Sequence, residues 1–296
     1  MNRTTAGQGG RGRVIGPVGS RYDQAAQRSA ATVIGEYSTS FGWASRLLQE
    51  PVRAHVRSIY ALVRVADEIV DDADLDLDAG MRRELLDDLE KETLKAVDRG
   101  HSTNLVVHAF ALAARGHGID SELIAPFFAS MRADLDVSVH DPASLEQYVY
   151  GSAEVVGLMC LHVFVGGDPA AYARLRDPAR SLGSAFQKVN FLRDLAEDHD
   201  QLGRSYFPGL DPTNFGDRER DQLLDEIDAE LAVAAAAIDE LPHSSRRAVA
   251  AAHAFYRALS ERLRATPAAQ IRRARVRVPD HHKARILARV IVGGRA

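Results

Sequence analysis

Cysteine is nearly missing from this chain: Cys160 stands alone among 296 residues. A single thiol excludes an internal disulfide and any zinc site built from several cysteines, and it fits a reducing compartment. A basic surplus is missing too. The net charge is −4 and the pI is near 6.3, which argues against a nucleic-acid binder with a basic face. No run reaches the roughly 18 consecutive apolar residues of a membrane-spanning helix. The longest, "VVGLMCLHVFVGG", is interrupted by His162 and suits a buried core helix. The N-terminal "MNRTTAGQGGRGRVIGPVGS" has arginines but no apolar centre of a secretion signal. A cytoplasmic location is the expectation.

Two motif look-alikes fail on inspection. Gly7, Gly9 and Gly12 spell G-x-G-x-x-G, but no strand precedes them and no βαβ unit surrounds them, so they make no dinucleotide loop. The acidic run from Asp74 to Asp78 starts like a calcium loop, yet has Ala79 where the sharp-turn glycine belongs and Leu85 where the bidentate Glu belongs.

What is present is helix. Residues 1–21, rich in Gly and Arg at their start, read as a disordered tail. From residue 22 to 296 apolar residues recur at three and four, with few alternating runs. Helix starts are expected at Pro51, Ser102, Asp120 and Ser144 (with Gln147 as its capping-box partner), and a stop at Gly166-Gly167 before Pro169. About ten helices joined by short turns, with no long linker and no internal repeat, make one all-α domain, a single large helical bundle.

Against that apolar background two acidic ladders stand out. In "YALVRVADEIVDD", Tyr60, Arg64, Asp67 and Asp71 share a helix face at spacings of four, three and four. Like charges four apart repel, so Asp67 and Asp71 are either a solvated face or half of a cation site. Glu68 and Asp72 lie about 100° further round and read as solvated or supporting. In "FQKVNFLRDLAEDHDQLGRSYFP", Asn190, Asp194 and Asp198 repeat at four, with Gln187 one turn earlier on nearly the same face. One such ladder alone is ordinarily a solvated surface. Two of them, each within an apolar helix and about 120 residues apart, point to hard oxygen ligands for Mg2+ shared with phosphate oxygens, a diphosphate being the natural complement.

At these residues the chain resembles the squalene/phytoene synthase family, the head-to-head prenyl transferases. "YSTSFGWASRLL" (37–48) is similar to the family's Ser-x-Ser-Phe segment, "YALVRVADEIVDD" (60–72) to its first aspartate motif, and "QKVNFLRDLAEDHDQLGRSYFP" to its second. "YVYGSAEVVGLMC" (148–160) resembles the helix lining its tail cavity, and "YRALSERLR" (256–264) and "RVRVPDHHKARIL" (275–287) its closing helices. The resemblance runs from about residue 22 to 290 and implies an isoprenoid-synthase bundle with a central cavity. It implies Mg2+ (Mn2+ as a substitute) held by Asp67, Asp71, Asn190, Asp194 and Asp198, with two prenyl diphosphates as substrates. Diphosphate contacts would come from Arg64, Arg193, Arg275 and Lys283, with Ser38 and Ser40 as further donors. For Arg275 and Lys283 a solvated basic tail is the competing reading, and for the two serines an ordinary turn. Phe41, Tyr60 and Tyr148 would face cationic intermediates or simply fill core, Tyr256 would contact substrate, and Gln187 would orient a ligand or water or simply satisfy a neighbouring carbonyl. Ala153 and Gly157 leave room for a tail or let helices pack closely. Tyr37 stands where some members carry histidine.

The reaction so implied ionises one allylic diphosphate, joins the chains through a cyclopropylcarbinyl diphosphate, and ionises again to the C1–C1′ product. Two geranylgeranyl diphosphates giving phytoene is the preferred version, since the chain shows no C-terminal anchor and no dinucleotide loop, and NADPH is not expected. Squalene, dehydrosqualene or presqualene diphosphate from farnesyl diphosphate is the alternative. A head-to-tail synthase expects a second D-D-x-x-D and a cyclase expects Ser or Thr at position 194, so both fit less well. A non-enzymatic assembly factor is the alternative of another class, weakened by intact acidic motifs. The last 26 residues carry eight Arg or Lys against one Asp, either a solvated end with diphosphate contacts or a peripheral contact with anionic membrane.

Overall fold

The computed structural model describes residues 19–37, 40–72, 76–200, 203–211 and 214–293. Among them fourteen α-helical segments follow one another, and the one extended contact is a single bridge between Val139 and Ser205. The fold is all-α. The segments are α1 (Arg21–Tyr37), α2 (Ser40–Ser45), α3 (Val52–Asp71), α4 (Ala79–Arg99), α5 (Leu105–His117), α6 (Ser121–Asp136) and α7 (Pro142–Val149). A π-helical turn (Tyr150–Glu154) leads into α8 (Val155–Val165), followed by α9 (Pro169–Arg193), α10 (Leu195–Asp200), α11 (Asp217–Ala237), α12 (His243–Arg264), α13 (Ala268–Ile271) and α14 (Asp280–Val292).

Local chemistry sets these ends. Asp120 caps α6 by accepting from Glu122 N, and Gly166, at φ 61°, stops α8 in the left-handed region that favours glycine. Two starts differ from expectation. Asn104, not Ser102, caps α5, because its Oδ1 reaches the amides of Val106 and Val107, while the Ser102 hydroxyl donates to Glu92. At α7 the cap is Asp141, and Ser144 is its reciprocal partner three residues on.

One core gathers around α3, α5, α6 and α8, with Ile59, Leu62, Phe110, Phe127 and Phe128 fully buried. A second joins α9 to α11 through Val189, Leu192, Leu224, Ile227 and Leu231. Each such side chain contributes roughly 1.5–3 kcal/mol by burial. Two glycines permit the close approaches that shape the centre. A Cβ on Gly151 would lie 2.1 Å from Ser130 Oγ and 2.2 Å from the Pro126 carbonyl oxygen, so the π-helical turn can press against α6. A Cβ on Gly183 would lie 2.7 Å from the Ala153 carbonyl oxygen, so α9 can lie against that same turn. The stretch Pro142–Val165 is long and apolar enough to cross a membrane by length and composition, but half of its apolar window is buried in the bundle.

Candidate active site

A cavity of about 940 Å3 runs through the bundle, at the upper end of the range for small-molecule sites. Along α9 one face lines it from end to end: Leu175, Ala179, Leu182, Phe186, Gln187 and Asn190. The lower part of that face is apolar and the upper part polar, and other helices repeat the gradient. Val156 and Phe164 of α8 and Val249 of α12 line the apolar part, while Arg64, Arg193, Arg275 and Lys283 bring positive charge to the wall.

The two acidic ladders lie just beyond the polar end: of their five oxygen donors Asn190 lines the cavity, beside Arg64 and Arg193, and the four aspartates do not. On α3, Arg64 lines the cavity, and Asp67 and Asp71 continue its face by one and two turns. Burial, with Asp71 next in effect, pushes the Asp67 carboxyl up to about 8. Facing it, α9 ends at Arg193 with Asp194 as its cap, and α10 begins at Leu195. The second ladder therefore crosses a small helix break. The hydrogen bonds from Asp194 N to Asn190 O and from Asp198 N to Asp194 O, both 2.9 Å, keep the three residues in register. Burial, then Asp194 and also Asp71, pushes Asp198 up to about 7, so charge on one ladder is felt by the other.

Arginines thread between the acids. Arg193 Nε donates to Asp194 Oδ1 at 2.8 Å, and Arg275 Nε lies 2.9 Å from the same oxygen. Arg64 pairs with Glu68 and places its guanidinium carbon 4.6 Å from the centroid of the Tyr37 ring, a cation–π contact. Phe41 stacks on Tyr60 at 5.3 Å and Phe186 on Tyr256 at 3.7 Å, and all four rings line the cavity.

Among the expected residues, then, Phe41, Tyr60, Arg64, Gln187, Asn190, Arg193, Tyr256, Arg275 and Lys283 share one cavity wall. Ala153 and Gly157 line it as well, and Gly157 also meets the Ala179 carbonyl oxygen at close range. Ser40 opens α2, and Ser38 lies outside the described residues. Tyr148 does not line the cavity; it is buried behind the acids, as the core reading given for it expects, and its hydroxyl donates to Asp134 Oδ2 at 2.7 Å. In the π-helical turn that begins two residues later, Ser152 and Ala153 line the cavity. Sequence reasoning missed Asp134 and Arg204. Arg204 Nη1 donates to Asp71 Oδ1 at 2.8 Å and stands 3.8 Å from Asp134. Arg204 and Tyr206 lay in the quoted second motif, whereas Asp134 is one of two acids in "MRADLD".

The donor set suits a hard cation in chemistry: carboxylates that repel one another, and an Asn190 Oδ1 that is buried without a hydrogen-bond partner. Among the described residues no three acidic, His or Cys side chains converge on one point for an ion. The acids face each other in two ranks with arginines between.

The structure is an all-α bundle around a cavity that is apolar at one end and lined by arginines and a lysine at the other. The squalene/phytoene synthase family model matches residues 34–282, and the chain belongs to that family, prenyltransferases that condense prenyl diphosphates head to head. It is 29% identical over 263 residues to a 15-cis-phytoene synthase of Paracoccus sp., covering 80% of this chain and 81% of that one. It is 31% identical over 189 residues to a presqualene diphosphate synthase of Zymomonas mobilis, covering 63% and 62%. A dehydrosqualene synthase crystal structure superposes with a TM-score of 0.77 at 22% identity, covering 91% of this chain and 96% of that one, a likeness of fold.

Proposed function

We propose that this chain joins two geranylgeranyl diphosphates head to head, through a cyclopropylcarbinyl diphosphate, to give phytoene without a reductant. The observation carrying this reading is the depth of the cavity. From Asn190 to Leu175 the lining face of α9 advances fifteen residues, about 22 Å at 1.5 Å per residue. A carbon chain built from ~1.5 Å bonds advances roughly 1.25 Å per bond, so the main chain of a C20 tail extends about 19 Å and that of a C15 tail about 14 Å. The channel suits the longer tail, and its volume has room for two chains side by side.

Diphosphate groups would lie at the mouth against Arg64, Arg193, Arg275 and Lys283, where fixed positive charge opposes the leaving group's developing negative charge. Asp67, Asp71, Asn190, Asp194 and Asp198 would hold Mg2+, sharing it with diphosphate oxygens. Bound there, the cation neutralises and polarises the diphosphate, and the rest of the chemistry falls to the chain itself. The aromatic faces of Tyr60, Phe41 and Tyr256 border the space where the allylic cation would form, and the apolar wall excludes water that would quench it. The wall also folds the two tails side by side, which brings their C1 ends together at the mouth.

Competition between geranylgeranyl and farnesyl diphosphate at equal concentration, with Mg2+, tests the choice. C40 product in excess is expected, and C30 product in excess would transfer the reading to the farnesyl-using members. A peripheral membrane role for the C-terminal end is favoured by α14, where Ile291 and Val292 are exposed beside the exposed Arg285 and Arg289.

A further inference from the structure

Behind the acidic ranks lies a buried carboxylate that the proposed reaction does not touch. The Asp134 side chain, near the end of α6, is 6% exposed. Both of its oxygens are engaged: Tyr148 donates to Oδ2 at 2.7 Å and Tyr206 to Oδ1 at 3.2 Å. Arg204, itself 9% exposed, stands 3.8 Å from this carboxylate while donating to Asp71 at 2.8 Å. A guanidinium keeps its charge in any protein environment. Arg204 is therefore shared between one carboxylate in the interior and one at the site.

The sharing is held by rigid parts. Tyr206 stacks on Phe191 of α9 at 3.9 Å and 9°, and on His140 at 5.6 Å and 16°. Its neighbour Ser205 bridges to the segment after α6, with Ser205 N donating to Ser138 O at 2.7 Å and His140 N to Ser205 O at 3.2 Å. Asp134, Tyr148 and residues 204–206 are thus tied to α6, α7 and α9 by hydrogen bonds and ring stacking. Buried ion clusters contribute little net stability compared with apolar packing, so stability alone does not account for this one.

We propose that Asp134 is a positioning residue for the cation and diphosphate site. It draws part of the charge of Arg204 inward, so that Asp71 keeps its acceptor capacity toward the facing ladder. With a neutral side chain at position 134, the guanidinium charge would fall on Asp71 and compete there with an incoming cation. The proposal rests on the cation reading given above for the ladders, and Tyr148 enters it as the donor that fixes Asp134.

The test uses the full chain with Mn2+ and inorganic pyrophosphate, binding being followed by calorimetry and Mn2+ EPR, alongside kcat and KM. Carboxylate partners of metal ligands typically tune metal affinity by about 10–100-fold, so Asp134→Asn is expected to weaken Mn2+ by that much. Tyr148→Phe and Tyr206→Phe each remove one hydroxyl and keep the ring, and each should weaken Mn2+ by a smaller factor, with a lowered thermal midpoint because a buried carboxylate oxygen loses its donor. Should Asp134→Asn fail to fold, these two variants carry the test. Wild-type Mn2+ affinity in folded Asp134→Asn, or in both Phe variants, overturns the proposal whatever happens to turnover. A wild-type chain that binds no Mn2+ with pyrophosphate overturns the cation reading itself, and the proposal with it.

Discussion

Ala179 offers a direct way to shorten the cavity. It lies on the lining face of α9, eleven residues below Asn190, or about 16 Å along the helix. A phenylalanine there would cut the channel below the roughly 19 Å of an extended C20 main chain while leaving room for the roughly 14 Å of a C15 chain. The last isoprene unit has five carbons, and burial is worth about 0.8 kcal/mol per carbon, so a fully displaced unit loses roughly 4 kcal/mol. A tail that folds back and stays half buried loses about 2 kcal/mol, which is about 30-fold in kcat/KM at 1.36 kcal/mol per decade. The expected result for Ala179→Phe is a drop of about 30-fold or more with geranylgeranyl diphosphate. The change with farnesyl diphosphate should be small, and the thermal midpoint near wild type because the new ring enters open volume. The assay is steady-state product formation with each diphosphate separately. Equal losses with both substrates, in a variant that still folds, would refute the account of cavity depth.

Two further outcomes follow from the charges. Asp67 and Asp198 are raised to about 8 and 7, far above the ordinary carboxylate value of about 3.9. The folded, metal-free chain therefore holds protons that the unfolded chain has lost. Its stability from these two groups is full below about pH 4 and declines as pH rises through 7 and 8, which thermal melts in the presence of a chelator would record. Cation binding displaces the same protons, so Mg2+ should bind more tightly from pH 6 to 8 and release protons as it does. Calorimetry in buffers of different ionisation enthalpy reads that release, and pH-independent binding would contradict it. At the other end, removal of residues 288–296 should reduce sedimentation with anionic vesicles. Unchanged vesicle binding would assign the basic end to solvent.

The helical class and both ladders were legible in the sequence because a period of four is a property of spacing alone. The α9 wall below Gln187, formed by Leu175, Ala179, Leu182 and Phe186, was not singled out, because apolar residues at threes and fours line a cavity or fill a core with the same spacing. The rest depended on packing. Asp134 sits in "MRADLD" beside an exposed Asp136, and nothing in the spacing says which of the two turns inward. For Tyr148 the spacing could not separate a ring facing the cavity from one filling core; its contacts with Asp134 and Tyr206 are a matter of packing. Ser144 and Ser102 were plausible caps, but Asp141 and Asn104 had the reach to the free amides. The break at Asp194 was invisible because its hydrogen bonds preserve the spacing of four.

The central claim is that the two ladders together ionise a prenyl diphosphate with the help of a divalent cation. It is tested most directly by incubating the purified full chain with geranylgeranyl diphosphate, with and without Mg2+, beside Asp67→Ala and Asp194→Ala. The account expects C40 product from the wild type only when Mg2+ is present. Both variants should remain folded and turn over at least about 100-fold more slowly, the scale of losing one preorganised electrostatic contact to a developing charge. Near wild-type turnover in either variant, or no C40 product here and no C30 product from farnesyl diphosphate, would contradict it.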